Sequence, residues 1–274
     1  MNDRLVFLLE RFPLRAKVFH SGLLACAARY PASPVTGYIH VVRSGALTVV
    51  NGKRRHRVDT PSVFFYMNPQ THRLEPRSDD VQTVCASFEF GLGAGNPLQL
   101  ALPDMVLLPL AELPGLSVLL QQLFFEAEES HCGRQAVLDR LMEVALVLVL
   151  RELMDQSRLD VGLLAGLADK RLAKALNAMH AEPAREWSLD SLAEVAGMSR
   201  ARFAVKFREV VGTTPGGYLC DWRLGIAQTL LLRGLPMKNV AVEVGYGSAS
   251  ALARVFTGQF GQSPTAWLKA HRGE

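Results

Sequence analysis

The sequence predicts an α+β protein, with a β-rich N-terminal domain that includes a helical segment and an all-α C-terminal domain. Between about residues 17 and 110, short runs of β-branched and aromatic residues alternate with turn residues, which is typical of a small barrel or sandwich. From residue 113 onward the apolar residues follow helical spacing. The last third of the chain contains one helical pattern that occurs twice.

Composition and charge agree with two modest globular domains. The 274 residues are 49% hydrophobic and 20% charged, which excludes a disordered or fibrous chain. The formal net charge of +4 is unevenly placed, because residues 1–168 carry −1 and residues 169–274 carry +5. A mildly basic C-terminal part suits contact with phosphate.

The N-terminal domain begins with a short helix and continues with strands. Residues 1–12 space leucine and phenylalanine for one helical face. The dipeptide Asn51-Gly52 is the strongest hairpin signal, and residues 69–72 predict a further turn. The predicted strands are 38–42, 46–50, 54–58, 62–66 and 81–90.

Three helices are predicted after the strands, over 116–129, 136–154 and 170–180. The run Val144–Leu150 has no polar member, which favours burial on several sides of the second helix. Two surroundings could bury this helix: its own domain alone, or its own domain together with the subunit interface of a homodimer. Residues 159–168 have two glycines and no strong period, so a hinge is expected there.

The repeat in the last third of the chain is the most informative pattern. The segment Leu192–Gly197 recurs as Val240–Gly245, displaced by 48 positions. After a short turn the match resumes at a displacement of 49, where Ser199, Phe203, Phe207, Gly212, Pro215 and Tyr218 correspond to Ser248, Leu252, Phe256, Gly261, Pro264 and Trp267.

Each copy predicts two helices joined by a tight turn. A glycine permits the positive φ that ends the first helix, and a serine then opens the second and can cap its free N–H groups. The apolar pair four residues apart lies on one inward face, and the later proline stops the helix. This is the helix-turn-helix module, whose second helix enters the major groove of DNA. A helix from about Pro215 to Leu232 would join the modules.

The C-terminal third resembles the AraC/XylS-type transcriptional regulators. The resemblance is carried by Ser188–Ser199, Phe203 to Phe207, Gly212–Pro215, Val244–Ser248 and Phe260–Pro264. It implies a sequence-specific regulator that binds a double-stranded DNA operator and works with RNA polymerase, as an activator or as a repressor. The predicted domains are 1–112 (sensor), 113–168 (helical linker and dimerisation segment) and 169–274 (DNA binding).

The N-terminal part resembles the cupin-type sensor domains that are fused to such regulators, so a cupin-like β-barrel is expected. Gly45 after His40–Ser44 and the Pro69-x-x-His72 turn carry this likeness. It continues in Cys85–Phe88, Asn96-Pro97-Leu98 and Leu102-Pro103.

Family resemblance places the base-reading side chains on the second helix of each module, at Ala201, Ala204, Val205, Ala249, Ser250 and Arg254. Arg254 is the best candidate, since the arginine fork matches guanine O6 and N7. The small apolar side chains of the first helix can meet only a thymine methyl, which also suggests readout of DNA shape. Phosphate contacts are expected from Arg200, Arg202 and Lys206.

His40 and Cys85 match positions that resemble those of AraC-type regulators that sense reactive chlorine or electrophiles through cysteine oxidation. A nearby imidazolium would lower the pKa of the thiol and make it reactive. Cys26 and His72 are further candidates for this site, and His20 lies nearer the place of the family's first cysteine. Metal capture by His20, His40 and Cys85 is the rival interpretation, and a buried pair in a barrel that binds a small organic effector is the third.

An enzyme is not expected. Catalytic cupins hold a metal with several histidines and a glutamate, whereas His40 stands alone and no glutamate follows closely. The alternative is a cupin-type metalloenzyme that carries a DNA-binding domain. No cofactor is predicted, and a sequence-indifferent architectural protein is a third hypothesis.

The cellular setting predicted from the sequence is the cytoplasm. The start of the chain lacks the pattern of a signal peptide, and the most apolar run is too short to span a membrane. The four cysteines are widely spaced without CxxC pairing, which favours free thiols.

Overall fold

The computed structural model describes residues 3–33, 36–66, 71–90, 105–155 and 161–272. Their contacts group into two compact units. The described residues from 14 to 155 form what we call the sandwich unit, and those of 3–13 and 161–272 form the helical unit. The helices of residues 117–155 therefore belong with the strands, and the boundaries at 112 and 168 stay predictions.

The sandwich unit contains two antiparallel sheets rather than one closed barrel. One sheet has the strand order β1-β8-β3-β6-β9 and the other β2-β7-β4-β5. The strands are β1 (Leu14–Leu23), β2 (Ala28–Tyr30), β3 (Gly37–Ser44), β4 (Leu47–Asn51), β5 (Arg54–Val58), β6 (Ser62–Tyr66), β7 (His72–Pro76), β8 (Gln82–Phe90) and β9 (Val106–Pro109).

The two sheets enclose one core to which both contribute. Phe64 and Cys85 of the first sheet pack with Tyr30 and Leu74 of the second, and all four are buried. The predicted hairpin is confirmed, but its turn is shifted by one residue. Asn51 still pairs with Arg54, so the two-residue loop is Gly52-Lys53, with Gly52 at a φ of +56°.

Two helices complete the sandwich unit, α2 (Ser117–Glu128) and α3 (Arg134–Asp155). Helix α3 lies along the edge strand β1, where Asp139 accepts a hydrogen bond from the backbone N–H of Val18 at 2.8 Å. Polar side chains of α3 thus accept hydrogen bonds from backbone N–H groups of β1, which would otherwise be free to pair with a strand of another chain. Burial of α3 is incomplete, because Val144 is 47% exposed.

The helical unit contains nine helices among the described residues. They are α1 (Val6–Arg11), α4 (Leu163–Ala168), α5 (Leu172–Ala181), α6 (Leu189–Ala196), α7 (Arg200–Val211), α8 (Pro215–Leu232), α9 (Met237–Glu243), α10 (Ala249–Phe260) and α11 (Pro264–Arg272). The hinge expected at 159–168 is wrong for residues 163–168, which form a buried helix. A Cβ on Gly166 would lie 2.8 Å from side-chain atoms of Leu176 and Val211, so close packing holds this helix in place.

Both predicted helix-turn-helix modules are present, as α6–α7 and α9–α10. Their inward residues Phe203, Phe207, Leu252 and Phe256 are fully buried. The connecting helix α8 spans the predicted residues and begins at Pro215, with Thr214 as its cap. No helix in the described part of the chain is both long and apolar enough to cross a membrane.

Several motif residues fall outside this description. Pro69 of the predicted turn, Asn96-Pro97-Leu98 and Leu102-Pro103 lie outside the described residues. The cupin-like order is therefore traced through Gly45, His72 and Cys85 only. Gly45 has a φ of +80°, and a Cβ there would lie 2.6 Å from the Val81 backbone, so this turn requires glycine.

Candidate nucleic-acid interface and sensor site

Helix α7 presents a small, apolar outer face. Ala201 is exposed, Ala204 is partly exposed and Val205 is 58% exposed. Because Phe203 and Phe207 anchor the opposite face, these side chains point away from the core, as the sequence predicts. None of the three can donate a hydrogen bond to a base edge.

The three predicted phosphate contacts of this helix lie in different surroundings. Arg202 is exposed, and Arg200 is exposed with Asp190 3.5 Å away. Lys206 instead forms a close ion pair with Asp169, 37 residues earlier. Asp169 also accepts hydrogen bonds from two backbone N–H groups at the start of α5, so Lys206 ties α7 to α5.

The electrostatics of Asp169 follow from these bonds. Partial burial raises the pKa of this carboxyl, but the hydrogen bonds from Lys206 and from the backbone N–H groups outweigh that effect and hold the pKa below its ordinary value. The carboxylate is therefore charged at neutral pH. Lys206 is already paired and is less available to phosphate than Arg202.

Helix α10 presents a polar outer face. Ser250 and Arg254 are exposed, and Ala249 is partly exposed. Within the described residues the Arg254 guanidinium has no hydrogen-bond or ion-pair partner, so it is free to meet a base. The Ser248 hydroxyl accepts a hydrogen bond from the backbone N–H of Ala251 at 3.1 Å and caps the helix.

Most of the residues that the sequence predicts to be sensing residues form a row across the first sheet of the sandwich unit. Cys85 on β8 lies in register with His20 on β1 and with His40 on β3, and Phe64 on β6 continues the row beyond His40. His72 reaches the same interior from β7 of the other sheet. The structure thus brings together four of the five predicted sensing residues.

His40 and His72 form a buried pair, with 2.8 Å between their Nε2 atoms. One ring must donate and the other accept, so the two imidazoles have opposite tautomers. Aromatic rings enclose the pair, since Phe64 stacks on His40 at 4.8 Å, and Tyr30 and Tyr66 stack on His72 at 5.0 and 4.1 Å. Burial, and then the neighbouring His72 and His20, hold the pKa of His40 well below its ordinary value.

Three polar atoms of this cluster have no partner among the described residues. They are His20 Nε2, His40 Nδ1 and the Tyr66 hydroxyl. Buried polar groups are nearly always paired, so these unpaired atoms mark a place where a bound group could form hydrogen bonds. We call His20, His40, His72, Tyr30, Tyr66 and Cys85 together the histidine cluster.

The expected activation of Cys85 by an imidazolium is wrong for this structure. Cys85 is fully buried, and burial raises the pKa of its thiol to about 11, against smaller opposing effects of hydrogen bonds with Thr83 and Tyr30. His40 is itself neutral because its pKa is lowered. A thiol in this setting is protonated at neutral pH and reacts slowly.

The structure separates the other sensing candidates. Cys26 is an exposed free thiol, whereas Cys85 is buried. Metal capture by His20, His40 and Cys85 is not supported, since the described residues include no group of three histidine, cysteine or acidic side chains placed to hold a metal ion.

Two parts of these sites were not found from the sequence. Tyr30, whose hydroxyl lies 3.8 Å from the Cys85 sulfur, stands in a short strand with no motif around it. Asp169 lies between two predicted helices and showed no sign of its link to Lys206.

Two family models match the chain. One, described as cupin, covers residues 3–155, which is more than half of the chain. The other, described as a helix-turn-helix domain, covers residues 192–270. The first includes the sandwich unit, and the second includes both recognition helices.

Curated relatives point to the same class of protein. The chain is 32% identical over 202 residues to an uncharacterized HTH-type transcriptional regulator of Haemophilus influenzae, covering 73% of this chain and 67% of that one. It is 33% identical to the HTH-type transcriptional regulator MtrA of Neisseria gonorrhoeae, covering 69% and 63%. It is 35% identical to the RCS-specific HTH-type transcriptional activator RclR of Escherichia coli, covering 51% and 49%. The matches thus span between about half and two thirds of the length of these relatives.

Proposed function

Because the chain belongs to the AraC-type family of helix-turn-helix transcriptional regulators with an N-terminal cupin domain, we propose that it reads an operator with two unlike recognition helices under the control of its sandwich unit. The observation that carries this proposal is the pair of buried anchors, Phe203 with Phe207 and Leu252 with Phe256, which turns the outer faces of α7 and α10 toward solvent.

The two helices divide the reading of the duplex. Arg254 on α10 donates two hydrogen bonds to one guanine, and Ser250 supports it. Val205 and Ala201 on α7 pack against thymine methyl groups, and Arg202 binds phosphate. The operator therefore has a guanine-specific half and a thymine-rich half that is read through shape and apolar contact.

The histidine cluster is the sensing site of this proposal. A small effector or an oxidant that reaches it meets the three unpaired polar atoms of His20, His40 and Tyr66. Cys85 is oxidised only when the interior opens, because its thiol is buried and protonated in the closed form. RclR is named as an RCS-specific activator, and its likeness to this chain supports the oxidant branch of the proposal.

The remaining partners belong to the same proposal. Activation requires RNA polymerase, and reaching an operator requires a cytoplasmic location. A homodimer forms through the exposed apolar side chains of the sandwich unit's helices, where Val118 is 76% exposed, Phe125 52% and Val144 47%. The relatives are regulators, which supports a protein without enzymatic activity.

Selection of bound DNA from a random pool, with and without oxidant, tests the function. We expect one enriched sequence in which a guanine lies on one side and a thymine-rich segment on the other. Binding that depends on salt but ignores sequence would identify an architectural protein instead. If Cys85→Ser binds and responds like the wild type, oxidant sensing at this thiol is excluded while DNA reading stands.

A further inference from the structure

The helical unit contains a cavity of about 340 Å³ that no part of the proposed function uses. Its walls come from α1, from the end of α5 and from the C-terminal half of α8. Phe7, Ile226 and Leu230 supply apolar surface. Ligand sites in proteins are of this size and combine apolar walls with a few polar groups.

The charged residues of the cavity carry an excess of positive charge. Arg11, Arg233 and Glu10 line it, and all three are exposed. In the part of the chain that the structure describes, neither guanidinium group forms a hydrogen bond or an ion pair. Two free guanidinium groups at one opening favour a planar anion, because each can donate two parallel hydrogen bonds to a carboxylate.

His180 forms part of the wall and is fully buried. Its ring stacks on Trp222 at 3.8 Å between centroids, and its Nε2 lies 2.5 Å from the Tyr218 hydroxyl. Nδ1 has no partner among the described residues. When the Tyr218 hydroxyl donates to Nε2, Nδ1 carries the single N–H proton of the neutral ring and can donate it to an oxygen atom. An unpaired buried donor of this kind costs stability until a ligand or water accepts from it.

We propose that this cavity binds a small organic carboxylate with an apolar body. Arg11 and Arg233 hold the carboxylate, Phe7, Ile226 and Leu230 enclose the body, and His180 donates from Nδ1. The ligand is a monoanion, since Glu10 offsets one of the two positive charges and would repel a second carboxylate. This binding does not depend on the proposed reading of DNA.

One consequence does rest on the proposed function. Helix α8 connects the two helix-turn-helix modules, and the cavity joins it to α1 and α5. A ligand that bridges these helices favours one arrangement of α8, so operator affinity is expected to change when the cavity is filled.

Calorimetric titration of the full chain tests the site. The probes are sodium benzoate and sodium hexanoate, and their neutral matches are benzamide and hexanamide. We expect saturable one-to-one binding of at least one carboxylate, and at least tenfold weaker binding of its amide. Arg11→Ala with Arg233→Ala should weaken carboxylate binding at least tenfold, while Arg151→Ala, in the sandwich unit, leaves it unchanged.

Three outcomes would overturn the site. They are no saturable binding of either carboxylate, equal binding of acid and amide, and unchanged binding by the Arg11, Arg233 double variant. Circular dichroism of that variant shows whether it is folded, and exposed arginines make folding the expected result. Operator binding is measured separately, so carboxylate binding without an effect on DNA removes only the regulatory consequence.

Discussion

The two helix-turn-helix modules share one sequence pattern, but different contacts hold them. In the first, the turn glycine Gly197 is in open surroundings, and Ser199 makes no side-chain cap. In the second, Gly245 is pressed against the backbone of Ala184, and the Ser248 hydroxyl caps α10. A repeated motif therefore specifies the path of the backbone and leaves open which contacts stabilise it.

The modules also differ in the contacts of the basic side chains on their second helices. In the first, Lys206 is bound to Asp169 and holds α7 against α5. In the second, Arg254 makes no such contact among the described residues and is free to meet a ligand. Lys206 thus holds the first recognition helix against α5, whereas the second is capped by its own Ser248 and donates from Gln259 to Asp221 of α8. In the proposed function, the second helix carries the side chain that reads a base.

Substitution of the turn glycines should show the largest difference between the modules. Gly245→Ala places a Cβ 2.6 Å from the Ala184 carbonyl oxygen, in addition to the strain of a φ of +78°. We expect a loss of about 3 kcal/mol in the free energy of unfolding, because overlap and left-handed strain add. Gly197→Ala has only the strain and should cost about 1 kcal/mol. Equal losses in urea denaturation would show that the Ala184 contact is not tight.

Substitution of one outer side chain in each module should show the second largest difference, in affinity for the operator. Arg254→Ala is expected to cost about 2 kcal/mol on the selected operator and to relax preference at one base pair. Val205→Ala removes only methyl contacts and should cost less than about 1 kcal/mol. Competition binding against single-base variants of the operator measures both. If Arg254→Ala weakens binding equally on cognate and random DNA, the residue contacts phosphate.

Acid should weaken the first module before the second. Burial lowers the pKa of His180 from 6.5 to about 3, and this ring is hydrogen-bonded to Tyr218 of α8, which packs against Phe207 of the first module. The unfolded chain takes up a proton below pH 6.5 that the folded chain does not. The contribution of this group to the free energy of unfolding is therefore fully present above pH 6.5. It falls by up to about 1.4 kcal/mol for each pH unit as the pH drops from 6.5 toward 3. Hydrogen exchange at pH 6.5 and 4.5 should show protection lost in α7 but kept in α10, and equal loss in both would contradict this assignment.

The helix caps should give the smallest difference. Ser248→Ala removes the hydrogen bond from the Ala251 N–H and should cost about 1 kcal/mol. Ser199→Ala removes no cap bond and should cost only a few tenths of a kcal/mol. Thermal unfolding of the two variants makes the comparison, and a larger shift for Ser199→Ala would refute it.

The sequence was informative where structure is set by local spacing. The Gly197 and Gly245 turns, the buried phenylalanines of α7 and the Asn51-Gly52 hairpin follow from periodicity and turn chemistry within a few residues. The β-rich N-terminal domain follows from the order of short strands and from the likeness to cupin-type domains, whereas its division into two sheets and the pairing of His40 with Cys85 across β3 and β8 do not.

What the sequence did not show depends on partners that are distant along the chain. His40 and His72 are 32 residues apart, and only the packing of two sheets joins their Nε2 atoms. From the sequence alone Lys206 is expected to be a solvated cation, and only the folded structure shows its ion pair with Asp169. The buried state of Cys85, which reverses the expected direction of its pKa shift, is also a property of the closed core and not of nearby residues.

The connecting helix α8 has a consequence for the length of the operator. It is one continuous helix of 18 residues, or about 27 Å, so the helix cannot lengthen or shorten to adjust the distance between the modules. One inserted base pair rotates the second half-site by about 35° around the duplex axis. The protein should therefore tolerate several single-base changes in its operator better than the addition or loss of one base pair at the centre.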